Sequence, residues 1–345
     1  MTQTYKSKRA VKGSAPVSRP SSLNWLWLVV AVVAISGLIA VGLFLRSNAA
    51  SESPEPAAAT GSVEQQPTRA PVLGPADHCR RQPVFAQAEG FSQEALISTS
   101  QQEPMGLVVF DNIDAQGIPA RVFQDPSWDD AGWLGHITLD SSGNVYVFPA
   151  PRENLVDNPP ERANVLYRVD STSMQLTPFI TVTQAAPPSP ENPYGILGAA
   201  LDCDLNSLFV ATVAGSTRAD ELGKIVRIDL ATRQEVTAFA NVDVFGVTVY
   251  NSAEGKRLYY GLARTPDLYS IALDSNGAFS GEPRYELTMP DTNFKAWRLR
   301  FDKEGVLQVR GLEFDFNLKA TSERREVSYT FRFNSATNAW EEQAG

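Results

Sequence analysis

GHITLDSSGNVYVF (135–148), LGAALDCDLNSLFVA (197–211), FGVTVYNSAEGKRLYYG (245–261) and AWRLRFDKEGVLQVRG (296–311) are four versions of one unit. Each is an apolar strand, a polar turn led by Asp or Asn, and a second apolar strand. The leading residues are Asp140, Asp202, Asn251 and Asp302. A side chain of this type bonds backbone two residues on, and Gly143, Gly255 and Gly305 supply the positive φ such turns need. The turn chemistry therefore accounts for these residues without a ligand.

A second hairpin follows each copy: VLYRVDSTSMQLTPF (165–179), KIVRIDLATRQEVTAF (224–239), DLYSIALDSNGAFSG (267–281) and VSYTFRFNSATNAWEE (327–342). Their turns open at Asp170, Asp229, Asp274 and Asn334. Two hairpins per unit make four antiparallel strands, and successive leading turns lie 62, 49 and 51 residues apart. Four-stranded units at that period imply an all-β fold, a β-propeller. GLVVFDNIDAQGIPARVF (106–123) reads as the second hairpin of a fifth unit, and PVFAQAEGFSQEALIST (83–99) as its degenerate first. Five blades are expected, or six if the region around 79–105 contributes more. Trp340 ends the last unit in its own outer strand, so ring closure is expected to rest on packing and on a disulfide.

Working outward, residues 79–345 form the propeller domain and residues 47–78 a Pro-, Ala-, Ser- and Glu-rich stalk. The run WLWLVVAVVAISGLIAVGLFL, residues 25–45, has 21 residues and no charge. At ~1.5 Å per residue it spans the ~30 Å hydrocarbon core of a bilayer, so 23–46 reads as a transmembrane anchor. Lys6, Lys8, Arg9, Lys12 and Arg19 precede it within a disordered tail, 1–22, that has no acid. The positive-inside bias puts that tail in the cytoplasm and the propeller outside it, periplasmic or at the cell surface. The competing reading is a cleaved signal peptide, with Ser47-Asn48-Ala49 as a loose cleavage site; an h-region of 7–15 apolar residues is shorter than this run.

The formal charge is −9, and removing the +5 of residues 1–22 leaves −14 on the rest. An acidic exported domain argues against nucleic acid as a partner. Cys79 and Cys203 are the two cysteines, and in an oxidising compartment the simplest outcome is one disulfide between them. Two unpaired thiols or an intermolecular bridge are the alternatives.

The strand–Asp-x-x-Gly–strand unit followed by a LYRVD or IVRID strand resembles the NHL-like and gluconolactonase or strictosidine-synthase-like propellers over residues 105–340. The resemblance implies the fold and no single activity, because such proteins include hydrolases, sensors and binders. Its lactonase-like members hold a divalent metal in the central channel with carboxylates and amides. Here the innermost strands offer His136, Thr138, Thr248, Arg298 and Arg300 instead, so no metal and no cofactor is expected. Asp202, Asp204 and Asn206 open like a calcium loop, but Ser207 and Val213 stand where Gly and Glu are needed. No nucleophile elbow, phosphate loop, zinc spacing or haem motif is present.

Trp133, His136, Trp297 and Arg298 are the candidate binding residues, expected around one mouth of the channel, where an arginine beside indoles suits a carboxylate or sugar acid. A structural role for His136, and pairing of the arginines with acidic strands, are the alternatives. Pro-rich or charged insertions at 149–164, 184–195 and 313–326 are candidate contact loops. The sequence favours a tethered, non-catalytic propeller binding a protein or glycan partner; the alternative is an anchored hydrolase or lactonase-like enzyme at the channel mouth. A sensor role is weakened by the short tail.

Overall fold

Each repeated unit forms one sheet. The computed structural model describes residues 72–99, 104–187, 189, 191–320 and 323–343. The apolar run 25–45 lies outside them, and no described helix is long and apolar enough to cross a membrane. Blade 1 contains β2 (Leu96–Ser98), β3 (Val108–Ile113) and β4 (Pro119–Phe123). Blade 2 contains β5 (Thr138–Leu139), β6 (Val145–Val147), β7 (Val165–Val169) and β8 (Leu176–Thr181). Blade 3 contains β9 (Ile196–Asp202), β10 (Ser207–Thr212), β11 (Lys224–Asp229) and β12 (Gln234–Ala240). Blade 4 contains β13 (Val244–Ser252), β14 (Gly255–Leu262), β15 (Asp267–Leu273) and β16 (Phe279–Thr288). Blade 5 contains β17 (Lys295–Phe301), β18 (Leu307–Leu312), β19 (Glu326–Asn334) and β20 (Ala339–Glu342). The protein is a five-bladed β-propeller.

The expected turn chemistry is present. Asp140 Oδ1 accepts from Ser142 N at 2.8 Å and Asn144 N at 2.9 Å. Asp302 Oδ1 does the same for Glu304 N and Val306 N, and Gly143, Gly255 and Gly305 have φ of 80°, 118° and 76°. Asn251 departs from the pattern: its Nδ2 donates to Val72 O and Asp204 Oδ2, both at 2.9 Å.

That departure marks a strap. Residues 72–78, assigned to the stalk from composition, lie against the propeller. The short strand β1 (Gly74–Pro75) pairs with the end of β13, and Cys203 N donates to Ala76 O at 2.9 Å. Cys79 and Cys203 form the disulfide, and Arg81 N then donates to Asp140 O. The strap thus crosses blades 4, 3 and 2 at the turn ends of their inner strands. It leads into α1 (Val84–Ala88), which stands where the degenerate hairpin of blade 1 was expected, so blade 1 has three strands.

Apolar layers join neighbouring blades. Phe85, Leu107, Val109 and Trp128 pack on Val145, Val147 and Val165 between blades 1 and 2. Clusters around Leu208, Val210 and Phe148, around Tyr260, Ile225 and Phe209, and around Phe301, Leu307 and Leu268 join the later pairs. Fully burying one such side chain contributes about 1.5–3 kcal/mol. Among the described residues no apolar cluster joins blade 5 to blade 1. Trp340 packs toward blade 4, with Tyr259 at 6.3 Å and its Nε1 on Glu286. The disulfide joins the strap to blade 3 and does not bridge blades 1 and 5, so closure does not rest on it.

Candidate functional site

Inner strands run from one face of the ring to the other, with Gly135, Leu197, Phe245 and Trp297 at the end opposite the strap. These residues surround a cavity of about 190 Å³. The three insertions build its rim: Ala150 and Arg152 come from the first, Tyr194 from the second, and Phe314, Asn317, Lys319 and Arg324 from the third.

The insertions brace one another. Tyr194 and Phe314 meet edge-on with centroids 5.1 Å apart, and Tyr194 Oη donates to Asn317 O at 3.0 Å. Arg324 Nη2 donates to Pro151 O at 3.2 Å. Arg218 Nη2 donates to Asn317 Oδ1 at 3.0 Å, while Arg264 holds the backbone carbonyls of Thr217, Arg218 and Asp220. Arg264 is itself fixed by the buried Asp243, Nε to Oδ2 2.6 Å. A rim cross-linked in this way is preorganised, which lowers the ordering cost of binding.

Of the four candidate residues, Trp297 and Arg298 line the cavity. Arg298 stacks on Trp297 with its guanidinium carbon 4.1 Å from the ring centroid. Trp133 stands one layer back: Arg152 stacks on it at 4.1 Å and itself faces the cavity. His136 is not a lining residue. It is half-buried, and desolvation first, then the positive charges of Arg298 and Arg80, hold its pKa down at about 3. Burial also brings Arg298 and Arg152 down to about 10, assisted by Arg310 and Arg324 respectively. Propeller sheets stand radially, so alternate side chains of an inner strand face the two neighbouring blades. Thr138 is accordingly buried and Arg300 exposed on a blade face, where a channel-lining position had been expected.

Among the described residues no group of three or more His, Cys, Asp or Glu could hold a metal ion. The Asp202–Asp204 turn holds a cation of the protein's own. Lys256 Nζ lies 2.7 Å from Asp202 and 3.0 Å from Asp204. Burial keeps Asp202 above the ordinary carboxylate range. Asp204 is desolvated too, yet the hydrogen bonds from Lys256 and Asn251 hold it below that range. Sequence reasoning did not single out Arg152, Tyr194, Lys319 or Arg324, although it marked the insertions that carry them.

No family model matches the sequence, and no curated protein matches it. Solved structures with a similar chain path include a glucose dehydrogenase, at TM-score 0.38 and 14% identity over 63% of this chain and 72% of that one. A chain of a nidogen/laminin complex matches at 0.39 and 10%, over 69% and 89%. The PQQ-bound aldose sugar dehydrogenase of Streptomyces coelicolor matches at 0.35 and 13%, over 65% and 71%. No family is assigned by these comparisons.

Proposed function

We propose that this chain is a single-pass membrane protein, N-terminus in the cytoplasm, whose extracytoplasmic propeller binds a protein or glycan partner at the channel mouth opposite the strap. The observation that carries the reading is the convergence of all three insertions on one braced cavity lined by Trp297, Tyr194, Phe245, Arg298 and Arg152. Aromatic faces with arginines beside them suit an apolar or sugar ring bearing a carboxylate. The uncharged, 21-residue run 25–45 supports the tether.

The alternative, a hydrolase or lactonase-like enzyme at the same mouth, requires a base near neutrality. His136, held at about 3, is a poor one. The full-length chain in detergent micelles, assayed on lactones and esters with and without divalent cations, is expected to give no turnover. Metal-dependent turnover lost in His136→Gln would overturn the binding reading.

A further inference from the structure

A second cavity, of about 340 Å³, opens between blades 4 and 5 at the turn ends of β13 and β17, on the strap face and away from the channel mouth. Its size falls in the range of about 300–1,000 Å³ that small-molecule sites occupy. An aromatic arc borders it. Tyr250 and Phe301 lie 4.4 Å apart between ring centroids, Phe301 and Trp340 6.0 Å apart, and Phe333 meets Trp340 edge-on at 5.4 Å. Tyr259 lies beneath, edge-on to Phe301 at 4.9 Å.

The walls are held in place from behind. Glu286, its side chain only 3% exposed, accepts from Trp340 Nε1 at 2.8 Å and from Arg284 Nε at 2.9 Å, so one carboxylate orients an indole and a rim guanidinium together. On the other side Pro75 of the strap pairs with Tyr250 in the ladder. A Cβ at position 305 would sit 2.9 Å from Tyr250 Oη, so the glycine there leaves the phenol its room.

Two features define the occupant. Tyr259 is 5% exposed, yet its hydroxyl makes no hydrogen bond among the described residues, and neither does that of Tyr250. Burial pushes the Tyr259 phenol up to about 12, so it stays a hydroxyl at neutral pH and can donate. A desolvated polar group without a partner is costly, and a ligand oxygen that bonds it removes that cost. The rim, meanwhile, sets Arg284 and Arg332 against Glu254 and Glu304. Charges so balanced favour neither an anion nor a cation.

We propose that this cavity binds one pyranose ring of an uncharged glycan. The C–H bonds on the face of a pyranose suit the negative face of an aromatic ring, and the hydroxyls at its edge give and accept hydrogen bonds with the two phenols and the mixed rim. A phenylalanine side chain would fill the arc but leave both phenols without partners. The proposal does not rest on the reading of the channel mouth, which lies on the opposite face and suits a carboxylate.

The test titrates maltohexaose, cellohexaose, mannohexaose and chitohexaose against the full-length chain by isothermal titration calorimetry, in micelles of a detergent without a sugar headgroup. At least one is expected to bind, with an affinity that salt leaves unchanged, as suits a neutral ligand. Tyr250→Phe with Tyr259→Phe should weaken it about tenfold while thermal stability holds or rises, because neither hydroxyl has a partner in the empty site. Phe333→Ala, at a rim position 39% exposed, should weaken it as well, and circular dichroism checks that both variants fold. No binding of any of these oligosaccharides, or an affinity that both variants leave untouched, would overturn the proposal. A phenylalanine-containing peptide that competes with the sugar and binds the double phenol variant undiminished would make the cavity an apolar peptide site, which also overturns it. Sugar binding lost in Trp297→Ala but kept in the double phenol variant would place the sugar at the channel mouth, overturning this proposal while supporting that site.

Discussion

Arg324, in the insertion of the last blade, donates from Nη2 to the carbonyl oxygen of Pro151 in the insertion of the second blade, at 3.2 Å. This hydrogen bond therefore joins the insertions of blades 5 and 2 at the rim of the cavity. Arg324→Ala should cost about 1–2 kcal/mol of stability. It should raise amide exchange in 149–164 more than in the strands of blade 3. Urea unfolding and hydrogen exchange check the two parts.

Lys256→Met should be more damaging, because it strands the fully buried carboxylate of Asp202. Removing one partner of a buried pair costs about 3–5 kcal/mol. Burial holds Asp202 above its unfolded value, so the folded state favours its protonated form. The contribution of that group is greatest at low pH and is lost as pH rises through its folded pKa. The defect in Lys256→Met should consequently shrink as pH is lowered, which thermal melts across acidic to neutral pH would read.

Much of this architecture was legible in the sequence. Asp140, Asp202 and Asp302 announced hairpins because their turn chemistry is local, and four copies in register announced blades. Blade 1 was harder, since α1 and the strap occupy the place of a hairpin and share no repeat with the other units. The strap itself was hidden because Gly74 and Pro75 look like linker residues; only long-range pairing with β13 makes them part of a sheet. At the site, Trp297 and Arg298 were found from composition against an acidic background. Trp133 and His136 were near in sequence to the mouth but are set back from it by the radial blade geometry. Arg152 and Arg324 sat in irregular loops, where no period indicates which way a side chain faces.

Cys79 and Cys203 close a loop spanning 124 positions. In the chain-entropy model such a loop contributes on the order of 4–5 kcal/mol through the unfolded state. Cys79→Ser with Cys203→Ser should lower the urea midpoint with a fold-retaining circular dichroism spectrum. An unchanged midpoint would show that the strap contributes nothing through its clip.

His136 titrates at about 3 in the folded protein against 6.5 for the unperturbed group. Between those values the unfolded state binds more protons, so stability rises with pH across that window and is lost progressively as acid is added. His136→Gln should flatten this part of the stability profile. Imidazole NMR signals that stay in the neutral position at pH 5 would confirm the low pKa directly.

Whether the braced mouth is a binding site is decided by arrays of oligosaccharides and peptides probed with the full-length chain beside its Trp297→Ala variant. The wild-type chain is expected to retain a defined set of glycans or peptides, enriched in carboxylates, that the variant no longer retains. No binding, or identical patterns from both proteins, would contradict it.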